Sequence, residues 1–158
     1  MRRILKLITP LALTLALASG PAFAMGSGSD SSSSKAADPT YAAARTLVED
    51  GKYAEAIPLL EQVVAKDAKN ADALNYLGYS NRQLGNNDAA LTHYQAALAL
   101  EPSHRGANEY LGELYLTLGE LPKAEERLKA LDGACFFGCE EYTELKNAIA
   151  AYKAKLGS

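Results

Sequence analysis

The chain has 158 residues, 22% of them charged, a formal net charge of −3, two cysteines and two histidines. A mildly acidic chain without a basic stripe is poorly matched to nucleic acid or to an anionic membrane, so neither is expected as a partner. The length suits one domain that buries roughly two thirds of its unfolded surface, and it excludes a second large one.

The chain opens with a basic stretch, Met1-Arg2-Arg3-Ile4-Leu5-Lys6, followed by an apolar run from Leu7 to Ala18 that is broken by two threonines and Pro10. Ala22 and Ala24 then form an A-x-A pattern, so residues 1–24 are expected to be a signal peptide cleaved after Ala24. The apolar run is shorter than the ~20 residues a bilayer-spanning helix needs. No cysteine follows the cleavage site to carry a lipid, so no stable membrane anchor is expected. Arg2, Arg3 and Lys6 leave with the signal, which takes the formal charge from −3 to −6. Residues 25–37 are rich in serine and glycine and hold no large apolar side chain beyond Met25. That composition predicts a flexible leader.

From there the chain repeats itself every 34 residues. Gly51, Gly85 and Gly119 keep that spacing, as do Ala56, Ala90 and Ala124, and Leu60, Tyr94 and Leu128. Tyr76-Leu77-Gly78 returns as Tyr110-Leu111-Gly112. Apolar periodicity and punctuation predict helices over 39–49, 53–66, 71–84, 87–99, 105–117 and 121–131. Asp38-Pro39 supplies an N-cap and a first-turn proline, and Ser103 after Pro102 is read as a similar cap. The turn glycines suit left-handed C-terminal caps. Pro58 is expected to bend the second helix. Ala44, Gly78, Gly112 and the alanines at 56, 90 and 124 are expected where paired helices cross, since only small side chains let the axes approach to ~8–10 Å.

A 34-residue helical period with these residues resembles the tetratricopeptide repeat family. The second unit, about 71–104, carries Leu74, Leu77, Gly78, Ala90, Tyr94, Ala97 and Pro102, with Asn81 in place of a tyrosine. The third, about 105–138, carries Leu111, Gly112, Tyr115, Ala124 and Leu128, with Asn108 where a large apolar residue is usual and no terminal proline. The first, about 37–70, departs furthest, and terminal units of such arrays are commonly atypical. The resemblance implies an all-α solenoid of three helical hairpins. A last segment, 139–158, carries Tyr142, Leu145, Ala148, Ile149 and Tyr152 as one helical stripe and is expected to cap the array.

The resemblance also implies a concave face built from the first helix of each hairpin. Its columns are Tyr41, Asn75 and Glu109; then Arg45, Tyr79 and Glu113; then Val48, Arg82 and Leu116. Tyrosine and arginine are favoured in binding surfaces, so Tyr41, Arg45, Asn75, Tyr79, Arg82, Glu109 and Glu113 are the candidate groove. Tyr41, Tyr76, Gly106 and Tyr110 stand where some family members clamp a C-terminal carboxylate with basic residues, so that specificity does not carry over.

Chemistry is sparse. His93 lies mid-helix and His104 at a unit junction, and both read as surface or packing residues. No phosphate loop, nucleophile elbow or paired histidine motif is present in the sequence, so no catalytic or metal site and no cofactor is expected. Cys135-Phe136-Phe137-Gly138-Cys139 is the one segment the repeat leaves unexplained. A structural disulfide is the leading reading for an exported chain, with a reversible redox pair and a metal site as alternatives. A continuous helix would hold Cβ atoms four residues apart too far for a disulfide, so Gly133 and Gly138 are expected to break it. Phe136 and Phe137 are expected to be buried beneath the last helix in preference to forming an exposed tip. The expectation is a monomeric, non-enzymatic adaptor for a protein or peptide in the periplasm, with extracellular secretion as the alternative location and a thiol-regulated module as the alternative function.

Overall fold

A helix must stop before a hairpin can form, and three identical stops organise this chain. In each, the glycine N–H donates to the carbonyl three residues back and the next N–H reaches five residues back: Gly51 to Val48 with Lys52 to Leu47, Gly85 to Arg82 with Asn86 to Asn81, and Gly119 to Leu116 with Glu120 to Tyr115. The three glycines have φ of 73°, 81° and 78°. These are Schellman motifs, which satisfy the orphan carbonyls and require the left-handed conformation that a Cβ penalises.

The computed structural model describes residues 38–157 and contains seven helices there: α1 (Pro39–Glu49), α2 (Tyr53–Lys66), α3 (Ala71–Gln83), α4 (Asn87–Leu100), α5 (Arg105–Thr117), α6 (Leu121–Ala134) and α7 (Glu140–Leu156). The expected signal peptide and leader, residues 1–37, lie outside the described residues. The architecture is an all-α repeat solenoid of three hairpins, α1/α2, α3/α4 and α5/α6, followed by α7. α2 remains one helix through Pro58.

The other ends of the hairpins are closed by side chains. Asp38 Oδ1 accepts from Thr40 N at 2.8 Å and Asn70 Oδ1 from Ala73 N at 3.0 Å. At the next junction the cap is His104 and not Ser103, because His104 Nδ1 accepts from Ala107 N at 3.1 Å. Its other ring nitrogen, Nε2, lies 3.0 Å from Asp72 Oδ1. Where Asn108 replaces a large apolar residue, its side chain is fully buried and satisfied: Nδ2 donates to the carbonyls of Pro102 and His104, and Oδ1 accepts from Arg127 Nη1 at 3.3 Å. Burying an amide is tolerable only with such partners.

Small residues set the helix spacing. Ala44, Ala56, Ala90 and Ala124 are fully buried. A Cβ on Gly78 would lie 2.6 Å from the ring of buried Tyr94 on α4, its own hairpin partner. Gly112 also makes room for the last helix, since a Cβ there would lie 2.5 Å from Leu145 Cδ2 on α7. Apolar cores fill the spaces between neighbouring helices, with Val48, Leu60, Val63 and Leu77 on one side and Leu111, Leu114, Leu131, Leu145 and Ile149 on the other.

α1 touches α3 and α3 touches α5, whereas no comparable contact joins α2 to α4 or α4 to α6. The first helices therefore line the inner side of the curve. α7 packs against both α5 and α6, and more extensively against α5.

The α6–α7 connection corrects two expectations. Gly133 does not break α6, which runs to Ala134 with Cys135 N donating to Leu131 O. Only Gly138 departs, with φ of 85°. Cys135 and Cys139 are joined by a disulfide with Cα atoms 5.6 Å apart. Phe136 and Phe137 are not buried; they are 90% and 98% exposed, on the turn that the disulfide closes.

Leu145 is fully buried against Gly112, so Leu145→Ala is expected to cost about 2–5 kcal/mol in urea melts. Removal of Glu140 to Ser158 is expected to lower the midpoint further. A truncated chain that melts with the midpoint and slope of the intact one would show that α7 does not cap the array.

Candidate functional site

Side chains spaced by three and four residues share one face of a helix. On α3 this places Asn75, Tyr79 and Arg82 in line on the inner side, with Tyr41 and Arg45 on α1 beside them and Glu109 and Glu113 on α5 beyond.

The centre of this face is an aromatic and ionic cluster. Tyr79 and Tyr110 meet in a tilted contact with ring centroids 4.8 Å apart, and Tyr53 meets Tyr79 edge-on at 5.8 Å. The Arg82 guanidinium sits 5.6 Å and 5.7 Å from the Tyr79 and Tyr110 ring centres, and its Nη2 pairs with Glu113 at 2.8 Å. A cation held over two rings and paired with a carboxylate is a rigid anchor with little rotamer freedom left to lose. Tyr41 and Tyr76 form a second aromatic pair at 6.1 Å. Burial raises the phenol pKa of Tyr41, Tyr76, Tyr79 and Tyr110 above the ordinary value. The hydroxyls stay protonated and can donate as well as accept hydrogen bonds.

The expected groove residues are not equivalent in the structure. Arg45 is exposed and paired with Glu49 at 3.2 Å on its own helix, a contact of little energetic weight. Asn75 is 6% exposed, and its Oδ1 has no hydrogen-bond partner among the described residues. Glu109 departs most from an open lining position: it is 3% exposed, because α7 lies over it. Val48 and Leu116, which share the Arg82 column, belong to the core. Tyr53, Tyr76 and Tyr110 join the site without having been expected in it. Tyr76 and Tyr110 were detectable from their shared 34-residue register next to Asn75 and Glu109. Tyr53 comes from a second helix, outside the expected columns.

Glu109 carries the largest electrostatic perturbation at this end. Burial, a hydrogen bond with Glu144, and the nearby carboxylates of Glu144, Glu113 and Glu141 push its pKa up to about 9. At neutral pH it is therefore a neutral acid, hydrogen-bonded to Glu144 across the α5–α7 contact.

The arrangement is suited to holding a ligand by contact and hydrogen bonding. His104 has both ring nitrogens engaged, Nδ1 by Ala107 N and Nε2 by Asp72, which leaves none to act as a base toward neighbouring Ser103. His93 is half-buried on α4, where burial lowers its pKa and Glu61 opposes that shift. Among the described residues no group of three or more His, Cys, Asp or Glu is placed to hold a metal ion, and no helix is long and apolar enough to cross a membrane.

A family model described as tetratricopeptide repeat matches residues 41–100 and 81–135. No curated protein sequence matches this one. Among solved structures, the type III secretion chaperone SycD of Yersinia enterocolitica, in complex with a peptide of the translocator YopD, is similar with a TM-score of 0.64 and 22% identity, over 73% of this chain and 91% of that one. PcrH in complex with the chaperone binding region of PopD gives 0.63 and 20%, over 75% and 89%. The first repeat domain of Spaghetti (RPAP3), bound to an HSP90 peptide, gives 0.66 and 19%, over 75% and 91%. At these identities the likeness speaks for the fold.

The raised pKa of Glu109 has a defined sign in stability. Below the ordinary carboxyl value of 4.5 the group is protonated both folded and unfolded, and its contribution is fully present; as pH rises toward about 9 the unfolded chain releases the proton that the fold retains, and stability is lost. Urea midpoints are expected to fall between pH 5 and pH 9, and Glu109→Gln is expected to flatten that slope. An unchanged slope in the variant would mean that Glu109 is not protonated under α7.

Proposed function

Because the chain belongs to the tetratricopeptide repeat family, we propose that it is a non-enzymatic adaptor that holds an extended peptide or a partner helix on the inner face formed by α1, α3 and the exposed part of α5. The carrying observation is the Tyr79–Arg82–Tyr110–Glu113 cluster at the centre of that face. The tyrosine hydroxyls of this face offer donors and acceptors to a peptide backbone. The peptide complexes of SycD, PcrH and Spaghetti support a groove reading for this fold. Glu113 is paired with Arg82 and Glu141 with Arg105, so the α7 end sets no strong charge preference for the segment directed there.

The site of action we propose is the cell envelope, on the strength of the basic and apolar opening from Met1 to Ala24. Affinity capture from envelope extract is expected to recover a partner with the unaltered chain and to lose it with a Tyr41→Ala, Tyr79→Ala, Arg82→Ala variant whose helix content is retained. Equal capture by both would remove the groove assignment.

The disulfide has a structural part in this reading. Cys135 caps the end of α6 and Cys139 precedes α7, so the bond pins the connection on which the capping helix pivots. A reduction potential below about −300 mV is expected, as for structural disulfides of secreted proteins. A value near those of dithiol oxidoreductases, with exchange against such an enzyme, would favour a thiol-regulated module instead.

A further inference from the structure

The adaptor reading leaves Phe136 and Phe137 without a task. The other exposed large apolar side chains, Leu84, Leu100, Leu118 and Leu156, stand singly at helix ends, which is ordinary for a protein surface. The two phenylalanines are adjacent, 90% and 98% exposed, and meet edge-on at 5.5 Å. They belong to no apolar core. The run from Gly133 to Cys139 contains no charged side chain and no polar one other than the disulfide-bonded cysteines. The disulfide and the bond from Gly138 N to Cys135 O at 2.9 Å hold the turn closed, so the rings are displayed by the backbone and do not themselves support it.

The size of the tip distinguishes its occupants. Two aromatic rings offer roughly 300–500 Å² of burial, whereas a stable protein interface takes about 800 Å² from each partner. The flanks do not make up the difference, since Asp132 and Glu140 bound the run and such charges are depleted from interface cores. A lipid surface requires no complementary shape and accepts aromatic rings at headgroup depth. The bounding carboxylates disfavour anionic headgroups. A turn already fixed by a disulfide loses little freedom on insertion.

We propose that the Phe136–Phe137 tip is a membrane-contact element that enters the interfacial layer of a zwitterionic lipid bilayer and thereby holds the repeat domain at the bilayer surface. The tip lies at the α6–α7 junction, at the end of the hairpins opposite the three glycine turns, so this contact and ligand binding on the inner face are separate events.

The full-length chain lacks tryptophan, so a single reporter can be read without background. Because the apolar run from Leu7 to Ala18 can bring any full-length chain to a vesicle, the readout has to be local. Phe137→Trp, with Leu84→Trp at a glycine-turn end as control, is mixed with phosphatidylcholine vesicles carrying brominated acyl chains. The emission of Phe137→Trp is expected to shift to the blue and be quenched, and that of Leu84→Trp to do neither. Adding Phe136→Ser to the Phe137→Trp chain is expected to weaken the quenching titration by about tenfold. No response at position 137, equal responses of both reporters, or a response to lipid-free envelope protein but not to vesicles would each overturn the proposal. Stronger quenching with phosphatidylglycerol than with phosphatidylcholine would overturn the zwitterionic assignment.

Discussion

The close approach of helices at Gly78 and Gly112 is the constraint on which the rest of the structure depends. At Gly78 the aromatic ring of Tyr94 occupies the space a side chain would need, which brings α3 and α4 to their minimum separation. At Gly112 the buried Leu145 does the same from α7. Interiors packed at crystal density do not absorb an added methyl without movement. The two contacts therefore fix how closely α4 stands to α3 within the second hairpin and how closely α7 stands to α5 at the end of the array.

Site chemistry follows from that spacing. Once α3 and α5 lie side by side, Tyr79 and Tyr110 come into ring contact and Arg82 can reach both rings and Glu113. Once Leu145 seats against Gly112, α7 lies over Glu109 and raises its pKa among neighbouring carboxylates. One end of the inner face is thus closed by α7, and the other carries the aromatic pair Tyr41 and Tyr76. This asymmetry gives the groove a direction, which three equivalent repeats would not.

The hairpins and their boundaries were legible because their determinants are local and periodic. Gly51, Gly85 and Gly119 announce their turns wherever they occur, and the apolar stripe of Glu140 to Leu156 needs only a neighbour to pack on. What escaped depends on contacts between segments distant in the chain. Gly112 shares the register of Gly78, and only the position of α7 shows that Leu145 packs on it. Glu109 stood in register with Tyr41 and Asn75, yet register says nothing of a helix that covers its last member. Tyr53 belongs to a second helix and reaches the inner face from the start of α2, beside Tyr79. His104 was passed over as a cap because Ser103 is the commoner capping residue, and the imidazole prevails by bridging Ala107 N and Asp72 at once. The phenylalanines were misplaced because apolar side chains are usually buried, while the disulfide closes too short a turn for these two to fold back under α7.

The account rests on the contact between α5 and α7 at Gly112, which ends the solenoid and shapes the groove. Native-state hydrogen exchange on Gly112→Val and on the unaltered chain tests it most directly, because the method resolves local opening from global unfolding. A valine at that position is expected to displace Leu145, with amides of Glu140–Leu156 losing protection while those of α1 to α4 keep theirs. Undiminished protection across α7 in the variant would contradict the account.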